Sequence, residues 1–150
     1  MAIVGVGNRL KGDDFAGSLV LKKLKSKLVQ GRGLLLLDAE AAPENFTEEV
    51  RAFGPDAVVF VDSALMGYSP GTVKLVDLQE TEYPYFSTHN VPLKLLSRVM
   101  GDIRRSFLLG IEPKTTEFGE EMSSEVKLAC ESVVQAVHNV LTEEVEICRV

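Results

Sequence analysis

Short apolar runs alternate along this chain with apolar stripes of helical spacing. Four runs predict strands: residues 2–6, 34–37, 57–61 and 105–111. The run at 34–37, bounded by a glycine and a charge, fits a strand buried on both faces. A fifth, weakly alternating run at 72–76 follows a loop at 63–71 that is too short to hold a crossover helix. We therefore expect this strand to pair antiparallel, at an edge of the sheet.

The stripes of helical spacing predict four helices, at about residues 13–28, 44–53, 87–100 and 123–142. In the first helix, Gly17 stands in the same stripe as Leu21 and Leu24. We expect the acidic tail at 143–150 to fray. The alternation predicts a single α/β domain over residues 1–150, built as a three-layer α/β/α sandwich: a mixed, mostly parallel sheet of about five strands with helices on both faces.

The composition excludes several classes of partner. A formal charge of −6 and a pI near 5.0 argue against binding to nucleic acid or to an anionic membrane, because an acidic surface gains nothing from counterion release. The chain has no apolar stretch of about eighteen residues and no export signal at its start, so we expect a cytoplasmic protein without membrane insertion. Cys130 and Cys148 form no metal-binding or redox motif, and reduced structural thiols suit that compartment.

Acidic residues follow three of the predicted strands. Asp38 and Asp62 each end an apolar run, and the first run leads through a glycine loop to Asp13 and Asp14 at the start of a helix. Because the carboxyl ends of parallel strands face the ligand crevice, these acids predict an acidic crevice at one sheet edge. Asp13 can cap the helix, but a second aspartate exceeds what capping requires.

His89 lies at the predicted start of a later helix, where the positive end of the helix dipole disfavours an imidazolium. A neutral imidazole is what a metal site requires. Two carboxylates and one imidazole, from Asp14, Asp62 and His89, together form a candidate site for a borderline ion such as nickel or zinc.

Three other chemistries fit the residues less well. A dinucleotide site would need a third glycine where Leu10 stands, and the two aspartates would repel a pyrophosphate. A serine or cysteine hydrolase would need a nucleophile motif that the chain lacks. Asp14 and Asp62 are also candidates for a dyad of the aspartic-protease type, although their surroundings do not resemble D-T-G.

The motifs themselves resemble those of the hydrogenase maturation endopeptidases. They are G-V-G-N-R-L-K-G-D-D-F-A-G at 5–17, D-A-E-A-A-P-E-N at 38–45, V-D-S-A at 61–64, P-G at 70–71, T-H-N-V-P-L at 88–93 and L-G-I-E-P at 109–113. Within that family the chain is most similar to the branch that serves formate-linked or energy-converting [NiFe] hydrogenases. The motifs follow the family's order across about residues 3–113.

The resemblance implies an endopeptidase that removes a C-terminal extension from the hydrogenase large-subunit precursor after nickel insertion. It implies that Asp14, Asp62 and His89 contact nickel carried by the substrate, and that Asp38 is a further acid needed for activity. We expect a monomer that holds no tightly bound ion of its own. The alternative is a non-catalytic checkpoint protein that uses the same residues without cleaving.

Two positions depart from the family's usual motifs. Asp38-Ala39-Glu40 stands where D-G-G is frequent, which removes two flexible backbone positions and adds a charge. Asp13-Asp14-Phe15 stands where D-D-G is frequent, so Phe15 places a bulky ring beside Asp14.

Overall fold

The computed structural model describes residues 1–31, 33–80, 86–87 and 92–147. The strands are β1 (Ala2–Gly5), β2 (Leu35–Asp38), β3 (Ala57–Leu65), β4 (Val73–Asp77), β5 (Phe86–Ser87) and β6 (Arg105–Ile111). The helices are α1 (Ala16–Lys27), α2 (Thr47–Phe53), α3 (Leu93–Val99) and α4 (Ser124–Ile147). Short 3-10 turns at Gly12–Phe15 and Pro43–Phe46 lead directly into α1 and α2.

The strands form one mixed sheet in the order β2-β1-β3-β6-β4. Neighbouring strands from β2 to β6 pair in parallel, while β4 pairs antiparallel with β6 at the edge. The two-residue strand β5 pairs antiparallel with the far end of β3. The predicted α/β class, the mostly parallel sheet and the antiparallel edge strand are thereby confirmed.

Each face of the sheet packs against one pair of helices. Apolar residues of α1 and α4 pack against one face, and those of α2 and α3 against the other. Successive strand residues alternate between the two cores: Phe60 belongs to the α2/α3 core, and Val61 belongs to the α1/α4 core. The layered sandwich that the sequence predicts is therefore the observed architecture. Among the described residues, no helix has the length and apolarity to cross a bilayer.

Gly17 allows α1 to lie unusually close to the sheet. A Cβ atom at this position would lie 2.0 Å from the carbonyl oxygen of Val61 and 2.2 Å from that of Val6. Both distances are far shorter than van der Waals contact, so only glycine fits here. The pattern assigns Gly17 to the apolar face of a helix. In the structure, the backbones of α1 and the sheet approach each other closely at this position.

The structure corrects three of the predicted boundaries. Strand β3 continues to Leu65, so the start of the predicted loop at 63–71 is strand, because β6 pairs with it as far as Ser63 and β5 pairs with its last two residues. Ser87, predicted to open a helix, belongs to β5, and α3 begins only at Leu93. Helix α4 continues to Ile147, beyond the position where the acidic tail is predicted to begin.

Candidate active site

The carboxyl ends of the parallel strands meet at one edge of the sheet, and strand register brings two of the predicted acids level there. Gly5 of β1 pairs with Asp38 of β2 on one side and with Val61 of β3 on the other. Asp62 directly follows Val61 and pairs with Gly110 of β6. Since neighbouring strands lie about 4.8 Å apart, the backbones of Asp38 and Asp62 are separated by about 10 Å.

Asp62 is fully buried, with 0% of its surface exposed. The sequence predicts it at the end of a strand, whereas it lies within β3, at the point where β1 stops pairing and β6 continues. By strand alternation its side chain is on the same face as Phe60, the side of α2 and α3. The edge is therefore a step in the sheet, with β3 and β6 extending past β1.

Asp14 is delivered to the same edge by the 3-10 turn that precedes α1. Its own N–H donates to the carbonyl oxygen of Lys11 at 3.0 Å, and its carbonyl oxygen accepts from the N–H of Asn8 at 3.2 Å. The turn packs against β3, and Asp14 is 2% exposed. Two buried carboxylates, from Asp14 and Asp62, thus belong to adjoining elements at the carboxyl edge.

Asp13 has a different role from the helix cap that the sequence allows. Its buried carboxylate accepts hydrogen bonds from the N–H groups of Lys114 at 2.7 Å, Thr115 at 3.1 Å and Ser123 at 2.6 Å, and from the Ser123 hydroxyl at 2.9 Å. No side-chain hydrogen bond caps the 3-10 turn or α1. Asp13 therefore holds the loop between β6 and α4 against the loop after β1.

Asp38 ends β2 and is mostly buried, with 12% of its side chain exposed. The ammonium group of Lys22 in α1 lies 3.7 Å from its carboxylate and 5.0 Å from the centre of the Phe15 ring. The Phe15 ring, next to Asp14 in sequence, thus contacts the Lys22 ammonium group that pairs with Asp38. A small cleft of about 110 Å³ adjoins this group, with Arg9, Lys22 and Glu40 among its lining residues.

Glu40 has a left-handed backbone, with φ at 49°, and is the one non-glycine residue with positive φ among those described. Its N–H donates to the Asp38 carboxylate at 3.3 Å, and its carbonyl oxygen accepts from Gly7 at 2.8 Å. These bonds tie the end of β2 to the loop after β1. A glutamate in this conformation is strained, because its Cβ crowds the following carbonyl oxygen.

His89 lies outside the described residues, as does Cys148. The described chain comes near it in sequence at Ser87, which pairs with Ala64, two residues beyond Asp62. In the described part of the chain, no three His, Cys, Asp or Glu side chains form a group able to hold a metal ion. The structure thus brings Asp14, Asp38 and Asp62 to one edge and leaves the position of His89 as a sequence prediction.

Glu112 is a further buried acid at this edge, outside the set of site residues predicted from the sequence. It is 5% exposed, and its carboxylate accepts from the N–H groups of Met66 at 2.8 Å and Tyr68 at 3.2 Å. It therefore shapes the chain that follows β3. Its place directly after a strand, in the L-G-I-E-P motif, is the same signal that singled out Asp38 and Asp62.

Cys130 is a structural thiol, as the sequence predicts. It lies buried between α4 and α1, with its sulfur 3.7 Å from the carbonyl oxygen of Ala16. Burial raises the pKa of its thiol to about 12, so it is protonated and unreactive at neutral pH.

Comparison with known proteins agrees with this arrangement of motifs on the fold. The hydrogenase maturation protease family model, HycI, matches residues 19–140. The hydrogenase 3 maturation protease of Escherichia coli K12 is 33% identical over 132 residues, which cover 87% of this chain and 83% of that protein.

Solved structures show the same likeness. The crystal structure of a [NiFe] hydrogenase maturation protease HycI from Thermococcus kodakarensis has a TM-score of 0.82 at 32% identity, covering 94% of this chain and 91% of that one. The solution structure of the endopeptidase HycI from E. coli has a TM-score of 0.77 at 31% identity, covering 92% and 88%. With its sequence and its fold in agreement, this chain belongs to the hydrogenase maturation protease family and to its HycI branch.

Proposed function

We propose that this protease removes the C-terminal extension of a [NiFe] hydrogenase large-subunit precursor once nickel has been inserted. Asp14, Asp62 and His89 contact the nickel that the precursor carries, and Asp38 orients or activates groups in the same crevice. The metal is part of the substrate in this reaction. We expect the enzyme to act in the cytoplasm and as a monomer, which sedimentation of the purified protein tests.

The observation that best supports the proposal is the burial of two carboxylates at one sheet edge. Asp14 is 2% exposed and Asp62 is 0% exposed, and they belong to the adjoining 3-10 turn and β3. Withdrawing a carboxylate from water is costly, so acids at such positions favour a binding or catalytic function over a solvated surface. Carboxylate and imidazole groups are suitable ligands for nickel.

This arrangement would select the nickel-loaded precursor as the substrate. A precursor that carries nickel gains contacts with Asp14 and Asp62, whereas one without nickel presents no cation to them. Binding energy from the metal then holds the extension in position for cleavage, so that the geometry of attack is achieved only with a loaded precursor. Hydrolysis of the scissile peptide bond consumes one water and releases the extension as a separate peptide.

The test is incubation of the purified enzyme with nickel-loaded and nickel-free precursor, followed by intact-mass measurement of both products. We expect a discrete C-terminal peptide only with nickel. Asp14→Asn, Asp62→Asn and His89→Ala should each slow processing by about a hundredfold or more, the usual scale for loss of a directly acting group. The control is Asp56→Asn, an exposed acid at the opposite sheet edge that should retain full activity.

Equal cleavage of both precursors would overturn the role of nickel. Full activity in the three variants would show that the assigned site is wrong even within the correct family. Binding of the nickel-loaded precursor without any loss of mass would favour the checkpoint alternative.

A further inference from the structure

Two loops at the carboxyl edge join into one ridge that presents a pair of large apolar side chains to solvent. Leu10, in the loop after β1, is 60% exposed, and Phe118, in the loop between β6 and α4, is 69% exposed. The N–H of Gly119 donates to the carbonyl oxygen of Leu10 at 2.9 Å. The ammonium group of Lys11 lies 4.8 Å from the centre of the Phe118 ring. We name Leu10, Lys11 and Phe118 the apolar ridge.

The backbone of the ridge is fixed from both sides. The Asn8 side chain accepts from the N–H of Leu10 at 3.0 Å, and the Asn8 carbonyl oxygen accepts from that of Lys11 at 3.1 Å. The buried Asp13 carboxylate holds the other loop through four hydrogen bonds from residues 114, 115 and 123. A surface held in one conformation loses little entropy when it binds, which favours its use in recognition.

The ridge lies directly beside the candidate active site. The N–H of Asn8 bonds to the carbonyl oxygen of Asp14, and the N–H of Asp13 donates to the carbonyl oxygen of Thr115 at 2.9 Å. Isolated exposed apolar residues are ordinary on protein surfaces. Here, however, a leucine and a phenylalanine belong to two loops that a backbone hydrogen bond joins, next to the acids proposed to meet the substrate. On the proposed function, a precursor that brings nickel to Asp14 approaches the carboxyl edge, where this surface lies.

Acidic residues flank Phe118 in the sequence of its loop. Glu117, Glu120 and Glu121 are all exposed and lie within three residues of Phe118. A complementary partner therefore offers an apolar depression with lysine or arginine around its rim. Resting on the proposed function, we propose that the apolar ridge docks into such a depression on the hydrogenase large-subunit precursor, beside its nickel site. The ridge thus determines affinity for the protein substrate, while the buried acids recognise the metal.

The first experiment compares the double variant Leu10→Ser/Phe118→Ser with Leu128→Ser, a control of matched exposure on α4 that is 65% exposed. Equilibrium binding to nickel-loaded precursor is measured by biosensor, and initial processing rates are measured by intact mass. The double variant should weaken binding about tenfold or more and raise KM in proportion, as expected for an apolar anchor. Leu128→Ser should leave both quantities unchanged. Because all three side chains are exposed, thermal unfolding of each variant should match the wild type.

The second experiment tests the charge of the partner's rim. Glu120→Lys/Glu121→Lys should weaken binding at low salt, and the difference from wild type should shrink at high salt as the charges are screened. Tighter binding by this variant would contradict the proposal that the partner's rim is basic.

The outcomes separate this inference from the proposed protease reaction. If the wild type cleaves the precursor and the ridge variant behaves like Leu128→Ser, the ridge proposal is wrong and the function stands. If the wild type binds without cleaving and the ridge variant loses binding, the ridge proposal stands and the proteolytic step is wrong. If the wild type neither binds nor cleaves, both are overturned.

Discussion

Acidic residues at the carboxyl edge of the sheet include buried ones, which differ from the exposed Asp56 at the amino edge, where the parallel strands begin. At the carboxyl edge, Asp13 and Asp62 are both 0% exposed. At the amino edge, the Asp56 carboxylate lies 3.9 Å from the Arg104 guanidinium, and these side chains are 89% and 83% exposed. An exposed ion pair stabilises a fold very little, whereas a buried acid depends on every hydrogen bond it receives. Stability at the carboxyl edge therefore depends on buried acids such as Asp13, whereas the exposed pair at the amino edge contributes little.

Backbone conformation shows the same contrast. At the amino edge, α2 ends at Gly54, whose left-handed φ of 64° is easily adopted by glycine. At the carboxyl edge, Glu40 adopts a φ of 49° without that freedom. Gly54 thus follows local sequence preference, whereas Glu40 departs from it. Such departures are expected where function, and not stability alone, selects the residue.

The largest effect should come from removing the buried acid that joins the two loops. Asp13→Ala leaves the amides of residues 114, 115 and 123 without their acceptor, so the free energy of unfolding should fall by about 3 to 5 kcal/mol. Urea unfolding measures the change. Its control at the amino edge is Asp56→Ala, which should alter stability by less than about 0.5 kcal/mol. Similar losses in both variants would contradict the contrast between the edges.

A smaller effect should follow from adding one methyl group between α1 and the sheet. Gly17→Ala forces a Cβ against two carbonyl oxygens, so α1 must move, at a cost of about 2 to 3 kcal/mol. Because α1 follows directly from the turn that holds Asp14, processing activity should fall as well. Gly33→Ala is the matched control: a Cβ there would meet nothing within 4 Å, and its stability should stay within about 0.5 kcal/mol of wild type.

Relieving the strain after β2 should have an effect of opposite sign. Glu40→Gly should raise the free energy of unfolding by about 1 kcal/mol, because glycine adopts a positive φ without steric cost. The reverse change at the amino edge, Gly54→Ala, should lower it by about 1 kcal/mol. Glu40→Gln removes the charge and keeps the strained backbone, so it should not reproduce the gain. Equal stability of Glu40→Gly and Glu40→Gln would show that charge, and not strain, is the cause.

Local pattern was sufficient to predict the sandwich and most of its elements, because buried strands and amphipathic helices are visible within a few residues of sequence. Pattern also predicted that acids gather at the carboxyl edge, since this follows from parallel strand direction alone. It failed where the deciding partner is remote in sequence. Asp13 looks like a cap until its partners, about a hundred residues away, are known. The last two residues of β3 likewise depend on pairing with β5.

The smallest effect should come from an exposed ion pair that lies at the carboxyl edge itself. Lys114 and Glu125 are 2.8 Å apart, and their hydrogen bond is the main cause that lowers the pKa of Glu125 to about 2 from its ordinary 4.5. A lowered folded-state pKa means that the stabilising contribution is complete above pH about 4.5 and is lost as the pH falls toward 2. Lys114→Met should therefore move the Glu125 titration, followed by carboxyl NMR, up toward 4.5, while the remote Lys25→Met should not move it. Because both side chains are half exposed, the melting temperature at neutral pH should barely change. A large loss of stability in Lys114→Met would mean that the position of a charge at this edge, and not its burial, determines how much it stabilises the fold.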